Sequence, residues 1–403
     1  MPDTAPLISS PLGVLAALLF ILAGLHALNR HPVAARVFNV IPLIVFCYFV
    51  PTVLSNTGIL PMESETYTFI RRILLPASLL LLVLSTDIPA VISLGRDAVV
   101  LFLAGAVSIA LGGPLAFLAL GWMFPTDALD QAWRGLAALT GSWVGGGANF
   151  VAIGQSVGAD AATLGTMVVV DVAMAYFWMA ILLGFAGREA AMDASIGADR
   201  ARIDAVREKV EAYQAEVSRP ANVPDLLMIF ALGIGLTIVV TGVAAHLPDV
   251  GEIINGFTWV VCLVTAVGVA LSFTPLRRLE GAGASVVGSA CLYMLVAAIG
   301  ASAQFRELLK NLPLLAVGVL WMAIHAASML AVRRILRAPV FFLAVGSMAN
   351  VGGAASAPVV AAAFHPALAT VGVLLAVLGY VLGTYVGLMT AYLLRAIARL
   401  YGG

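Results

Sequence analysis

The sequence predicts an all-α polytopic membrane protein in two halves of six apolar segments each. Three observations predict it. Hydrophobic residues make up 62% of the 403 positions and charged residues only 10%, where a soluble globular chain carries about 25% charged residues. Apolar runs of roughly 20 residues recur along the whole chain, each long enough to cross a hydrocarbon core of about 30 Å. A single polar stretch, 187–224, interrupts them near the middle.

The segments fall near 11–28, 37–58, 69–92, 97–123, 134–157 and 162–186 in the N-terminal half, 1–186. They fall near 225–245, 255–273, 284–303, 312–333, 340–363 and 367–394 in the C-terminal half, 225–403. Positions 1–10 lack a basic n-region, so the first run reads as a retained helix rather than a cleaved signal. Between the halves, 199–218 is charged and spaced for a surface helix, with Arg207 and Glu211 at i,i+4. Asn222 and Pro224 then punctuate the next span. With every segment crossing once and the N-terminus inside, the cytoplasmic loops would hold 16 Lys and Arg and the outer loops five, in keeping with the positive-inside rule. The first half alone exchanges three basic residues for three when flipped, so only the linker and second half are oriented by charge. A net charge of zero points away from nucleic acid and from a polybasic membrane patch. Cys47, Cys262 and Cys291 sit in apolar runs without metal-ligand spacing and read as small core residues. No hydrolase, Walker or haem motif is present, and the chain is read as a non-enzyme.

Two stretches break the apolar pattern. Gly145-Gly146-Gly147-Ala148-Asn149 and Gly346-Ser347-Met348-Ala349-Asn350 share Gly, Ala and Asn at the same offsets, each in the fifth segment of its half. Glycine costs about 1 kcal/mol in a helix interior. Non-helical backbone at membrane depth survives only inside protein or beside a wet cavity. Paired broken helices in corresponding positions of two repeats are how secondary transporters build substrate and ion sites. The candidate substrate-binding residues are therefore Ser142, Gly146, Gly147, Asn149, Gln155, Ser347, Asn350, Gly352, Gly353 and Ser356. Asp171, Asn149 and Asn350 are the candidates for ion coupling. Close helix packing through small residues is the competing explanation.

Asp171 lies some ten residues into its segment, near mid-bilayer, where a carboxylate is costly and marks an ion ligand, a proton carrier or a partner of a buried base. Asp87, beside Pro89, sits near a helix end and can meet water. His325 can relay protons, though a lone histidine on an apolar segment is more often a hydrogen-bonded packing residue. Tyr380 and Thr384 can face the same site, while Gly379 and Gly383 equally suit packing.

GGGANFVAIGQSVG, Asp171 within VVVDVAMAYFW, LYMLVAAIGASA, and ANVGGAASAPVVAAA followed by GYVLGTYVGL resemble a bacterial membrane-protein family, domain of unknown function 819, the YjcL-like proteins. That family is similar in organisation to the cation:proton antiporter and bile-acid:sodium symporter superfamily. The resemblance implies two structural repeats, inverted, with two crossing discontinuous helices. It further implies a core plus a scaffold domain, elevator-type alternating access and a homodimer, but no substrate. Twelve full crossings would make the repeats parallel, so inversion needs a segment that is re-entrant or split. The expected function is a secondary active transporter of a small polar or anionic solute, a symporter driven by sodium or protons in a bacterial inner membrane. The alternative is a cation:proton antiporter without organic substrate. Its partners would be the solute and the lipid bilayer, and no cofactor beyond the coupling ion is implied.

Overall fold

The computed structural model describes residues 6–32, 38, 43–206, 208, 220–250, 254–302, 312–365 and 368–402. The pair Arg207–Glu211 and most of the expected linker helix lie outside them. Helices account for all the regular elements of the described residues. The longer ones in chain order are α1 (Pro11–Asn29), α2 (Leu43–Asn56), α3 (Glu65–Leu84, with a π-turn at Ile70–Leu74), α4 (Arg96–Leu120), α5 (Leu129–Ser156) and α6 (Ala161–Ala186). After the linker come α7 (Val223–Ala244), α8 (Gly256–Ser272), α9 (Ala284–Ala301), α10 (Leu312–Leu336), α11 (Val340–Val351), α12 (Gly353–Phe364) and α13 (Ala369–Gly402). Nine of the described helices are long and apolar enough to cross a membrane. Side chains cap several of the helix starts. Ser10 accepts from the Gly13 amide ahead of α1, Asp160 from Thr163 ahead of α6, and Asn255 from Thr258 ahead of α8. Asn222 and Asp225 form a capping box at α7, the punctuation read from the sequence.

α5 does not run straight. Gly146 has φ 74° and ψ −178°, and the helix folds back on itself there. A Cβ built on Gly154 lies 3.4 Å from the Cβ of Ala138, and one built on Gly141 lies 2.7 Å from the Asn149 carbonyl oxygen. In a straight helix Ala138 and Gly154 would stand about 24 Å apart. At the open end the Arg134 guanidinium donates to the Val157 carbonyl. α11 and α12 make a second hairpin, turning at Gly352 and at Gly353, whose φ is +60°. Its arms close with the rings of Phe341 and Phe364 5.6 Å apart.

The two broken segments therefore fold back as hairpins, where the sequence predicts two segments that each run through once. A glycine with positive φ turns the chain at little cost, and each pair of arms then satisfies its backbone internally. Among the described residues the other eight helices of membrane length remain, and with the shorter apolar helices α2 and α8 they make five runs along the bundle in each half. The linker and the two termini consequently lie at opposite ends of the bundle. Tyr401 donates to the Leu118 carbonyl and the Leu7 amide to that of Gly58 at the terminal end. Asp87–Arg277, Asp97–Arg202 and Asp193–Arg333 pair at the linker end. The loop assignment behind the expected charge tally changes accordingly.

The helices pack in two groups. α1, α2, α3, α7, α8 and α9 form one; α4, α6, α10, α13 and both hairpins form the other. Within the first group α2 packs on α9 as α3 packs on α8, and α1 on α2 as α7 on α8, the same pairing with the halves exchanged. α4 and α10, fourth spanning segments of their halves, run antiparallel. Ile109 accepts from Trp321 at 3.0 Å, while the Met329 sulfur lies 3.6 Å from a Cβ built on Gly105. α5 rests on α3 and α8, and α6 on α2 and α9, across the boundary between the groups. The second hairpin packs chiefly within its own group.

Candidate functional site at the hairpin tips

The two hairpin turns meet. A Cβ built on Gly353 lies 3.9 Å from the Cα of Gly146, and one built on Gly146 lies 3.2 Å from the ring of Tyr380 on α13. Small residues permit this approach. At Gly145 a Cβ would come 2.7 Å from the Gly379 carbonyl oxygen and 2.7 Å from the Cα of Gly383. Here the packing role of glycine and the break coexist in one stretch.

Asn149 and Asn350 spend their amides on backbone. The Asn149 Nδ2 donates to the Gly145 carbonyl across the turn at 2.9 Å and to Tyr380 at 3.2 Å, and its Oδ1 accepts from the Thr384 hydroxyl at 2.6 Å. It clasps the first hairpin shut and ties it to α13. The Asn350 Nδ2 donates to Gly346 and to Phe102 on α4, both at 2.9 Å, and its buried Oδ1 has no protein partner. The two pentapeptides hold different places in their hairpins. Asn149 follows its turn and Asn350 precedes its own, so their shared letters do not mark equivalent positions.

Asp171 on α6 faces the first hairpin. Its Oδ2 accepts from Ser142 at 2.5 Å and its Oδ1 from the Trp143 indole at 2.8 Å. Among the described residues no basic side chain pairs with it. Beside it is a cavity of about 50 Å³, bounded by Ser142, Gly147, Phe150 and Asp171 on one side and by Tyr48 of α2 and Ile299 of α9 on the other. The space lies on the boundary between the two helix groups.

His325 is buried in a closed relay. Trp178 donates to Ser347 Oγ at 2.7 Å, Ser347 sits 2.7 Å from His325 Nε2, and His325 Nδ1 sits 2.7 Å from Ser108 Oγ. Ser108 donates onward to the Gly105 carbonyl at 2.7 Å. Every hydrogen in the chain is placed if the imidazole is neutral and protonated on Nδ1. A second ring proton would leave the Ser347 hydroxyl without this acceptor, so the geometry gives His325 a packing role.

Of the predicted residues, the fold brings Ser142, Gly147 and Asp171 to one cavity and Gly146 and Gly353 to one contact. Ser347 belongs to the histidine relay, and Ser356 is buried in α12 beside Gly352. Gln155 stands at the foot of the first hairpin, away from the turn, with an unpartnered Nε2. Asp87 caps the turn at Ala90 and pairs with Arg277 at 3.3 Å. Val296 and Ile299 lay within the run LYMLVAAIGASA and Phe150 within the glycine stretch, while Tyr48 gave no local signal; only docking of the two helix groups sets Tyr48, Val296 and Ile299 against one cavity.

This architecture defines a multi-pass helical membrane protein with paired re-entrant hairpins at its centre. The chain belongs to the family described as "Protein of unknown function (DUF819)", which matches residues 17–397. It is 26% identical over 348 residues to "Uncharacterized membrane protein YjcL" of Bacillus subtilis (strain 168), covering 83% of this chain and 85% of that one.

Proposed function

We propose that this protein is a secondary active transporter of a small polar solute, coupled to sodium or protons and working by elevator-type movement in a bacterial inner membrane. The observation that carries the reading is the cavity beside Asp171, shared between a hairpin-bearing helix group and a separate helix group. We read the hairpin group as the moving core and the other as the scaffold. The antiparallel α4–α10 pair and the exchanged packing partners support two inverted repeats, with five crossings in each half supplying the inversion. Half-helix ends at the two turns add fixed dipoles where a solute could bind. The first hairpin leans on the scaffold while the second does not. This supports a conformer with the core shifted toward the linker end, and the second hairpin would gate that side.

Asp171 would carry the coupling. Both asparagine amides are committed to backbone, so a sodium site would have to draw its five or six oxygens largely from main chain. A proton needs only the carboxylate. The second reading, a cation:proton antiporter without organic substrate, rests on the same lone carboxylate. Proteoliposome uptake under imposed gradients tests both. Solute accumulation that requires a sodium or proton gradient supports the first, and cation-driven proton movement alone supports the second. Conductance at channel rates without any gradient requirement sinks both. Asp171→Asn preserves an acceptor for Trp143 and should abolish gradient-driven accumulation while leaving the protein folded.

A further inference from the structure

We propose that the cavity beside Asp171 selects a small organic cation with an apolar body, an alkylammonium rather than an anion or a bare metal ion. This deepens the transporter reading and rests on it for the location of the site. The wall chemistry makes the case. Apart from Asp171, the side-chain oxygens bordering the space are those of Ser142 and Tyr48. The Ser142 hydroxyl already donates to Asp171 at 2.5 Å, and the Tyr48 hydroxyl to the Ala161 carbonyl at 3.1 Å. The rest of the lining is Gly147, Phe150 and aliphatic side chains, among them Val172, Val296 and Ile299.

An anion would meet a carboxylate and no compensating positive side chain, because no described Lys, Arg or His lines the space, and the buried His325 is spent in its own relay. A bare sodium ion would lose its water to a wall that offers too few oxygens. An alkylammonium matches both halves of the wall. Its N–H groups reach the free lone pairs of Asp171, its charge faces Phe150 and Tyr48, and its carbons replace water against valine and isoleucine. Against a cavity of about 150 Å³ that takes one benzene, this space of about 50 Å³ holds a cation of about two or three heavy atoms. Each methylene that fits should tighten binding roughly fourfold.

The test is binding to the full-length protein in lipid nanodiscs, followed by calorimetry and thermal unfolding. The probes are ethylammonium, its carboxylate counterpart propanoate, ethanol and sodium chloride. Ethylammonium should bind and raise the unfolding temperature, with the other three at least tenfold weaker. Asp171→Asn should weaken the amine at least tenfold. Should that variant not fold, Val296→Leu, which fills the space and leaves the carboxylate, should weaken ethylammonium at least fivefold relative to methylammonium. Stronger binding of the carboxylate or of sodium, or amine binding untouched by both substitutions, overturns the assignment. Amine binding without any transmembrane flux would instead defeat the transporter reading and leave this one standing. Gradient-driven uptake of an anion would do the reverse.

Discussion

Asn149 shows how one side chain can be a clasp rather than a ligand. It closes the turn at Gly146, reaches Tyr380 and accepts from Thr384. Asn149→Ala takes the side-chain donor from the Gly145 and Tyr380 carbonyls and leaves the Thr384 hydroxyl only its contact with Thr265 at 3.2 Å. The expected loss is about 2 kcal/mol, since unpaired buried groups cost about 1–3 kcal/mol each while membrane hydrogen bonds average about 0.6. Thermal unfolding of Asn149→Ala, Thr384→Val and the double variant measures it. The double variant should cost clearly less than the sum of the singles, and strict additivity would contradict the clasp. For His325, the closed relay implies that removing the ring damages packing rather than coupling. His325→Gln should lower the unfolding temperature yet leave the pH profile of uptake unshifted; a displaced profile would restore a proton-carrying role. Asp171 was legible from its depth in an apolar run. Ser142 was legible as a site residue beside the glycine stretch, but its pairing and that of Trp143 with Asp171 were not, because the fold brings a different helix alongside.

Among the elements, the hairpins turn on glycines of two kinds, and substitution should separate them. Gly353 has positive φ but open space, its nearest neighbour beyond a built Cβ being 3.9 Å away. Gly353→Ala should cost about 1 kcal/mol of backbone strain. Gly383 is an ordinary helical position whose Cβ would lie 2.6 Å from the Gly145 Cα, and Gly383→Ala should cost about 2–3 kcal/mol by forcing α13 away from the first hairpin. Equal destabilisation by the two changes would show that the tip contact is looser than described. The second hairpin leaves Val359 of α12 half-exposed, at 52%. If the core moves and the repeats exchange roles, α12 should come to lie against α9 in the opposite conformer. In a variant lacking Cys47, Cys262 and Cys291, Val359→Cys should cross-link to Val296→Cys or Ile299→Cys only under conditions that drive turnover. Equal cross-linking at rest would contradict the proposed resting conformer.

For the whole molecule, two re-entrant segments reverse the predicted sidedness of the termini relative to the linker. Among the described residues the linker end carries ten basic residues: Arg30, Arg96, Arg188, Arg200, Arg202, Arg277, Arg278, Arg333, Arg334 and Arg337. The terminal end carries five, Arg71, Arg72, Arg134, Arg395 and Arg399. The positive-inside rule then places the linker in the cytoplasm and both termini outside. Single cysteines at Leu7 and Gly402 should react with an impermeant thiol reagent in intact cells, and one at Ala194 only after permeabilisation. Equal labelling of all three would return the molecule to twelve crossings.

The sequence by itself determined that this chain is an all-helical membrane protein, and it singled out the glycines at which two of its apolar segments turn. Those are consequences of local composition: apolar length, caps, and the cost of glycine in a helix. It could not determine whether a broken segment continues or doubles back, because a positive-φ glycine permits either. The choice is made by what the arms pack against, here α13 through Gly379 and Gly383, and α4 through Asn350. Nor could it place Tyr48, Val296 and Ile299 opposite Asp171. That wall exists only where two helix groups far apart in sequence dock, and the tertiary structure alone decided it.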